Sequence, residues 1–145
     1  MKTQFSTSWF SSSQPRKQRK YVYNAPLHVK HKFLSAHFSK ELRQKYGKRS
    51  FPLRKGDEVL VMRGSSKKKK AKVASIDLKN SRISLEGIQR SKKDGTKVAV
   101  YFRPSALQII NLNIDDKERL FALTRKSSSL IKQTTSQKEA KTELE

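Results

Sequence analysis

Apolar and polar residues alternate in short runs through the middle of the chain. Ile83 and Leu85, for example, alternate with Ser84 and Glu86. Because successive side chains of a β-strand point to opposite faces, this two-residue period predicts short, half-buried strands. We place five strands at residues 58–63, 71–78, 82–87, 97–102 and 107–112. Strands that recur about every ten residues, with turns between them, are typical of a small closed or nearly closed barrel.

Turn-forming residues separate these runs. Gly accepts positive φ and Asp bonds its own backbone, so residues 55–57 (Lys-Gly-Asp) predict a turn before the first strand. Further turns are predicted at residues 79–81, 94–95 and 103–105, and a basic loop at residues 89–94. The predicted core side chains are Val59, Val61, Val73, Ile76, Ile83, Leu85, Val98, Val100 and Ile109.

Three short helices flank the predicted strands. Asn24 can cap the first helix, and Pro26 suits its first turn because its missing N–H would have no partner there. Ser39 caps the second helix and Gly47 ends it. Asp115 begins a capping box for the third. The first two helices are too short to be stable alone in water, so we expect them to dock on the barrel or to be ordered by a partner.

These patterns divide the chain into five segments. Residues 1–23 form a basic, largely extended arm, residues 24–53 a short helical segment, residues 54–113 the barrel, residues 114–126 the C-terminal helix and residues 127–145 a disordered tail. The arm is Ser-rich and aperiodic, and the tail is polar and nearly balanced in charge. Neither composition supports a packed core.

Charge changes the interpretation of this small fold. The formal net charge is +22, from 34 Lys and Arg against 12 Asp and Glu. Residues 1–56 contain 14 of the basic side chains and one acid, Glu41. Such an imbalance repels itself in isolation and favours a polyanionic partner. We therefore expect the contact with that partner to be concentrated in the first half of the chain.

Composition excludes several classes of protein. The absence of Cys excludes a disulfide framework and a Cys-ligated metal site. No apolar run approaches the ~18 residues that cross a membrane, and the N-terminus lacks the apolar region of a secretory signal. The Ser-rich, acid-free first residues also resemble a transit peptide, but we favour a basic tail.

No group of residues indicates catalysis or metal binding. His28, His31 and His37 have no suitable acid or Cys close in sequence to complete a metal site. Ser, His and Asp occur without the spacing of a nucleophile and its base, and the five Gly are scattered rather than gathered in a phosphate loop. We predict no enzymatic activity, no cofactor, no metal and no small-molecule substrate.

One stretch carries a resemblance to known proteins. Residues 54–64 (Arg-Lys-Gly-Asp-Glu-Val-Leu-Val-Met-Arg-Gly), followed by Lys72 and Val73, resemble a KOW motif. Segments in unbroken order around it resemble the same family, at residues 24–28, 39–43, 46–50, 94–96, 103–105 and 112–116. That family is the KOW-type large-subunit ribosomal proteins (bacterial large-subunit protein twenty-four, eukaryotic twenty-six), in the archaeal and eukaryotic form. The resemblance covers residues 16–126.

The resemblance implies a fold and a set of partners. It implies a mainly β protein, with a small SH3-like five-stranded barrel, short flanking helices and a basic N-terminal arm. The expected partners are large-subunit ribosomal RNA, near its 5′ region and the peptide exit tunnel, and neighbouring large-subunit ribosomal proteins. The expected location is the cytoplasmic ribosome, with a part in subunit assembly and no membrane insertion.

Basic side chains supply the predicted RNA contacts, because Lys and Arg neutralise phosphates and release counterions. Tyr21 and Tyr23 lie among these bases and either stack on unpaired nucleotides or pack on the barrel, whereas packing is favoured for Phe51. The predicted contact residues are Arg16, Lys17, Arg19, Lys20, Tyr21, His28, Lys30, His31, Lys32, Arg43, Lys45, Lys48, Arg49, Arg54, Lys55, Arg63, Lys67, Lys68, Lys69, Lys70, Lys72, Arg90, Lys92, Lys93 and Arg103.

The chain departs from the family pattern at one loop. Lys68 and Ala71 stand where the family usually has Gly, within a run of four lysines at residues 67–70. Loss of Gly removes the freedom to adopt positive φ. We therefore expect this loop to take a different path, with charge in place of close backbone approach.

Two other classes of protein stay open as alternatives. A KOW-domain transcription elongation factor would use the same barrel, although usually within a longer and less basic chain. A general nucleic-acid-binding protein that compacts DNA would also be basic, but it would not need the ordered segments around the KOW motif. Co-sedimentation with large ribosomal subunits distinguishes these classes.

Overall fold

The structure is a computed structural model that describes residues 4–125. The predicted disordered tail at residues 127–145 lies outside this range. The described strands are β1 (Ser35–Phe38), β2 (Ser50–Pro52), β3 (Glu58–Val61), β4 (Lys70–Asp77), β5 (Arg82–Ser91), β6 (Lys97–Phe102) and β7 (Leu107–Asn111). The α-helices are α1 (Pro15–Asn24), α2 (Leu27–Phe33), α3 (Lys40–Tyr46) and α4 (Lys117–Thr124), and two 3₁₀ helices span Thr7–Ser11 and Pro104–Ala106.

The seven described strands form one sheet in the order β2-β1-β7-β3-β4-β5-β6. Strands β3 to β6 are successive antiparallel neighbours, and β7 returns to pair antiparallel with β3 and parallel with β1. The fold is mainly β, as predicted. The five-stranded barrel is not confirmed, because the sheet has two more strands and its end strands, β2 and β6, do not pair with each other.

Strands β1 and β2 come from the segment that was predicted to be helical. In β1, Ala36 and Phe38 are buried, and Ala36 pairs with Phe51 of β2. Strands of three or four residues are too short to show a two-residue period clearly, so the pattern does not reveal them. β1 lies between α2 and α3, and β2 follows α3. The two strands therefore join the helical segment to the sheet.

Strand β5 is longer than predicted and takes in part of the predicted basic loop. Gln89 and Arg90 pair with Ala99 and Val98 of β6. The register of this ladder shifts between Ser84 and Gln89, and Gly87 within that stretch has φ 73°. A bulge of this kind bends a strand, and Gly adopts the required backbone without a Cβ clash.

The hydrophobic core largely follows the predicted pattern. Six predicted side chains are buried, namely Val59, Val61, Val73, Ile83, Leu85 and Ile109. Ile76 and Val100 are partly buried against this cluster. Val98 is 39% exposed, because β6 is an end strand of the sheet. The core also contains Leu34, Ala36, Phe38, Leu53, Ile88, Leu107 and Leu123.

The N-terminal arm is helical rather than extended. Pro15 occupies the first turn of α1, where a missing N–H costs nothing. The side-chain amide of Gln18 donates hydrogen bonds to the carbonyls of Trp9 (2.8 Å) and Ser12 (2.6 Å), which fastens the preceding residues to the helix. Asn24 ends α1 instead of capping α2, and Pro26 takes the cap position.

An aromatic cluster holds α1 in place. The Tyr21 ring lies 5.2 Å from that of Phe5, 6.3 Å from that of Phe10 and 5.8 Å from that of Phe33 in α2, measured between centroids. Isolated aromatics at residues 5, 10 and 21 show no helical period, which explains why the sequence indicated an unstructured arm.

Helices α3 and α4 begin close to the predicted positions. Ser39 caps α3 by accepting a hydrogen bond from the Leu42 N–H, and Gly47 ends it with φ 61°, as predicted. α4 is capped by Asp116, one residue after the predicted Asp115. Of the two leucines in this helix, Leu123 is buried, but Leu120 is 43% exposed.

A buried ion pair joins α4 to the turn before β3. Asp57 and Arg119 are 0% and 3% exposed, with Nη1–Oδ1 and Nη2–Oδ2 distances of 2.7 Å and 2.6 Å. Asp57 also accepts hydrogen bonds from the backbone N–H groups of Arg54 (2.8 Å) and Asn113 (3.0 Å). Such additional bonds are what a buried pair needs to offset desolvation. The turn itself is as predicted, with Gly56 at φ 87°.

Candidate nucleic-acid interface

The predicted contact residues are spread over several elements. Arg16, Lys17, Arg19, Lys20 and Tyr21 lie on α1; His28, Lys30, His31 and Lys32 on α2; Arg43 and Lys45 on α3, with Lys48 and Arg49 after it; Arg54 and Lys55 before β3; Arg63, Lys67, Lys68 and Lys69 between β3 and β4; Lys70 and Lys72 on β4; Arg90 on β5, with Lys92 and Lys93 after it; and Arg103 after β6. All are exposed except Tyr21, Lys30, Arg43 and Lys48, which are half-buried. Exposure leaves most of these cations accessible to phosphates.

Helix α1 presents its basic residues as a fixed array. Arg16, Lys17, Arg19 and Lys20 are all exposed, and the first turn of the helix contains no acidic residue. The sequence predicted the same cations on an extended arm. On a helix their Cα positions are held at set spacings, so less backbone order has to be gained when a partner binds.

The loop between β3 and β4 holds the lysine run. The backbone N–H of Lys68 donates to the carbonyl of Val61 (2.8 Å), and the Val61 N–H donates to the carbonyl of Lys69 (2.9 Å). Lys68 has φ 70°. The expectation that loss of Gly would abolish positive φ here is therefore wrong, because Lys68 adopts the left-handed region despite its Cβ.

The hairpin between β5 and β6 presents a second basic loop. Arg90, Lys92 and Lys93 are exposed around a tight turn. Asp94 orders the turn by accepting hydrogen bonds at Oδ1 from the Thr96 backbone N–H (3.0 Å) and hydroxyl (2.7 Å). These two hydrogen bonds lower the pKa of Asp94, with the hydroxyl bond making the larger contribution.

Three arginines act electrostatically on His37 of β1. Burial, and then the positive charges of Arg43, Arg49 and Arg63, lower the pKa of His37 from its ordinary value of 6.5. From the sequence, His37 is a polar, basic-leaning contact residue rather than a metal ligand, but nothing local indicates that the charges of three arginines from different segments act on it.

Three predicted contact residues also have partners inside the protein. The Lys48 ammonium donates to the carbonyl of Ala122, and the Arg43 Nε donates to the carbonyl of Phe38 (3.0 Å). Arg54 forms an ion pair with Asp116 that lowers the pKa of that carboxyl. Burial of Lys48, and then the charge of Arg125, lower the pKa of its ammonium. Lys48 and Arg43 therefore contribute to the structure of the protein itself. The Arg54–Asp116 pair is exposed, so Arg54 can leave Asp116 for another anion.

An open groove, here called the α1 groove, separates α1 from the β4–β5 turn and the residues after β6. The sequence predicted only some of the basic residues that line it. It predicted Arg19, Lys20 and Arg103 as contacts, but it did not name Lys79 or Arg82. These residues are far apart in sequence, and only the fold brings them to one groove.

Residues 4–125 contain no group of three or more His, Asp or Glu side chains placed to hold a metal ion. Within the same range, every helix is too short or too polar to span a membrane.

Comparison with known proteins decides the family. The sequence profile of the ribosomal proteins L26 of eukaryotes and their archaeal counterparts matches residues 12–126. The chain belongs to this ribosomal protein family. The match includes α1, the whole sheet and α4.

Named relatives agree with this family assignment. The chain is 49% identical over 115 residues to "Large ribosomal subunit protein uL24" of Korarchaeum cryptofilum, which covers 79% of this chain and 88% of the relative. It is 44% identical over 115 residues to the proteins of the same name from Methanosphaera stadtmanae and Sulfolobus acidocaldarius, covering 79% of this chain and 98% and 86% of those relatives. The resemblance drawn from the KOW motif is confirmed.

Proposed function

We propose that this protein is a structural constituent of the large ribosomal subunit that binds large-subunit ribosomal RNA. The family match over residues 12–126 carries the proposal. It is supported by exposed cations on α1, on the β3–β4 loop and on the β5–β6 hairpin. Ribosomal RNA is a dense array of phosphates, and each Lys or Arg that reaches one releases counterions and adds to affinity.

The finer part of the proposal concerns location and role. By resemblance to its family, the protein binds near the 5′ region of the RNA, close to the peptide exit tunnel, and beside other large-subunit proteins in the cytoplasmic ribosome. It acts in subunit assembly and translation by holding RNA segments together, and not as an enzyme.

Sucrose-gradient sedimentation of a cell lysate tests this function. A tagged full-length protein should sediment with large subunits and remain there after a wash in moderate salt. The deproteinised large-subunit RNA should also retain the purified protein on a filter. Recovery with the transcription machinery, or spread evenly over DNA, would contradict the proposal and favour one of the two alternative classes.

A further inference from the structure

The α1 groove is lined by both apolar and basic side chains. Val22 and Tyr23 of α1 form part of one side, and Phe33 and Pro104 also line the groove. The basic residues that line it are Arg19, Lys20, Lys79, Arg82 and Arg103. None of the lining residues is acidic.

Tyr23 is the unusual residue of this groove. Its side chain is 79% exposed, whereas Tyr21, two positions earlier, packs into the aromatic cluster. An aromatic ring that is left in solvent beside several cations offers a π-face for stacking and charges for the attached phosphates. Arg19 and Tyr23 are four residues apart in α1, so they lie on the same face of the helix.

Both sides of the groove are held by contacts within the protein. On one side, the Tyr21 ring packs edge-on against Phe33 and fixes α1 to α2. On the other, Asp77 accepts hydrogen bonds from the backbone and side chain of Asn80 (3.1 Å and 2.7 Å) and so orders the β4–β5 turn. The groove is therefore formed before any ligand binds, which reduces the ordering cost of binding.

We propose that the α1 groove binds an unstacked nucleotide from a single-stranded segment of RNA. The base stacks on Tyr23, and the flanking phosphates contact Arg82 and Arg103 on the opposite side. This inference rests on the proposed RNA-binding function and adds to it the class of RNA structure that one site recognises. Single-stranded loops and bulges supply such bases, because their edges and faces are not occupied by a helix.

The charge of the groove favours RNA over a protein partner. Five cations and no acid line the groove. A protein segment without matching acidic residues would bury these cations unpaired, which is costly. A nucleotide within a strand brings one phosphate on each side of its base. The phosphates can contact the basic residues while the base stacks on Tyr23. A protein segment in the groove is an outcome that the following experiment detects.

The test compares substitutions at two exposed tyrosines. Tyr23→Ala should weaken binding of the full-length protein to deproteinised large-subunit RNA by about 5- to 150-fold, the range that follows when a stacking aromatic side chain is replaced by Ala. Tyr23→Phe should retain most of the affinity because its ring still stacks. Tyr101→Ala is the matched control, since Tyr101 on β6 is also exposed, at 54%, but does not line the groove.

A double substitution locates the phosphates. If Arg82 contacts the nucleotide that stacks on Tyr23, then Arg82→Gln should cost less in the Tyr23→Ala background than in the wild-type protein. Independent, additive losses would overturn the assignment of both residues to one nucleotide.

The remaining outcomes separate this inference from the proposed function. If the wild-type protein binds the RNA and Tyr23→Ala binds equally well, the groove is not a nucleotide site, and the proposed function stands. If Tyr23→Ala binds naked RNA normally but fails to enter assembled subunits, the groove holds a protein segment and the inference is wrong. If the wild-type protein does not bind the RNA, the proposed function itself fails.

Discussion

Asp57 accepts four hydrogen bonds, two from backbone N–H groups and two from the guanidinium of Arg119. One carboxylate thus fixes the turn before β3, the chain after β7 and helix α4 together. The guanidinium also lies 5.5 Å from the Phe51 ring centroid and donates to the carbonyls of Pro52 and Asn113. The ion pair serves to position α4 against the sheet.

Replacing Arg119 should therefore be strongly destabilising. Arg119→Met leaves Asp57 buried without its counter-charge, and we expect the free energy of unfolding to fall by about 3–5 kcal/mol. Arg54→Met is the control, because it breaks an ion pair that is largely exposed and should cost only about 0–1 kcal/mol. Urea unfolding followed by circular dichroism measures both. A loss for Arg119→Met no larger than that for Arg54→Met would contradict this expectation.

Lys68 carries backbone strain that a single substitution can remove. A residue with a Cβ loses roughly 1–2 kcal/mol in the left-handed region, whereas Gly costs about 0.5–1 kcal/mol in lost chain entropy. We expect Lys68→Gly to raise the free energy of unfolding by about 0.5–1 kcal/mol. Lys67→Gly removes the same charge from a residue without positive φ, so it should give no gain. Thermal unfolding of the two variants decides the question, and a gain in both would assign it to charge.

At the scale of elements, the sequence predicted what is locally encoded. The bounds of β6 agree with the prediction, and the caps at Ser39 and Gly47 are where their side-chain chemistry placed them. The elements that the sequence did not predict share a physical cause. α1 is held by ring packing with residues before and after it, and β1 gains its place from pairing with β2 and β7. Contacts between distant segments leave no local periodicity to detect.

The candidate site was predictable to a similar extent. Exposed cations follow from composition, and most of the predicted contact residues do lie on the surface. Grouping was not predictable, because Arg82 and Arg103 meet α1 only through the fold of β4, β5 and β6. The sequence also does not determine which of Tyr21 and Tyr23 packs into the aromatic cluster and which is left exposed to stack on a nucleotide.

The lysine run between β3 and β4 makes a prediction about a whole loop. If Lys67, Lys68, Lys69 and Lys70 each neutralise a phosphate, replacing all four by Gln should make the log–log salt dependence of RNA binding shallower by roughly 0.7 per contact, or about 3 in total. Filter binding over a salt series measures the slope. The residues are exposed and their loop is held by backbone hydrogen bonds, so the variant should stay folded.

The size of the change has a clear interpretation. A shift of about 2 or more places the loop on the RNA, because charges that do not touch it are screened beyond about 8 Å at physiological salt. An unchanged slope in a folded variant would mean that the loop points away. The phosphate contacts would then come from α1 and from Arg54, Lys55 and Arg63.

Across the whole molecule, positive charge is concentrated towards the N-terminus. Residues 1–24 contain five basic side chains and no acid, whereas residues 126–145 contain four basic and three acidic ones.

The end strands β2 and β6 leave edges of the sheet unpaired within the described residues. The high net charge disfavours edge-to-edge association of two copies.

Two truncations test where the binding free energy lies. Deleting residues 1–24 should weaken RNA binding more than deleting residues 126–145, because it removes five cations and one wall of the α1 groove. Filter binding of both truncated proteins to large-subunit RNA gives the comparison. Losses of equal size would show that the N-terminal segment has no special part in binding.

The long separation of Asp57 and Arg119 also has a consequence for the time course of synthesis. Translation adds about 5–20 residues per second, so the 62 positions between them take roughly 3–12 s to make. β7, which joins β1 to β3, is also among the last strands produced. A nascent chain therefore contains α1 and the lysine loop for several seconds before the buried ion pair can form. Nucleic acid that is encountered in this interval meets the cations first and the finished sheet later.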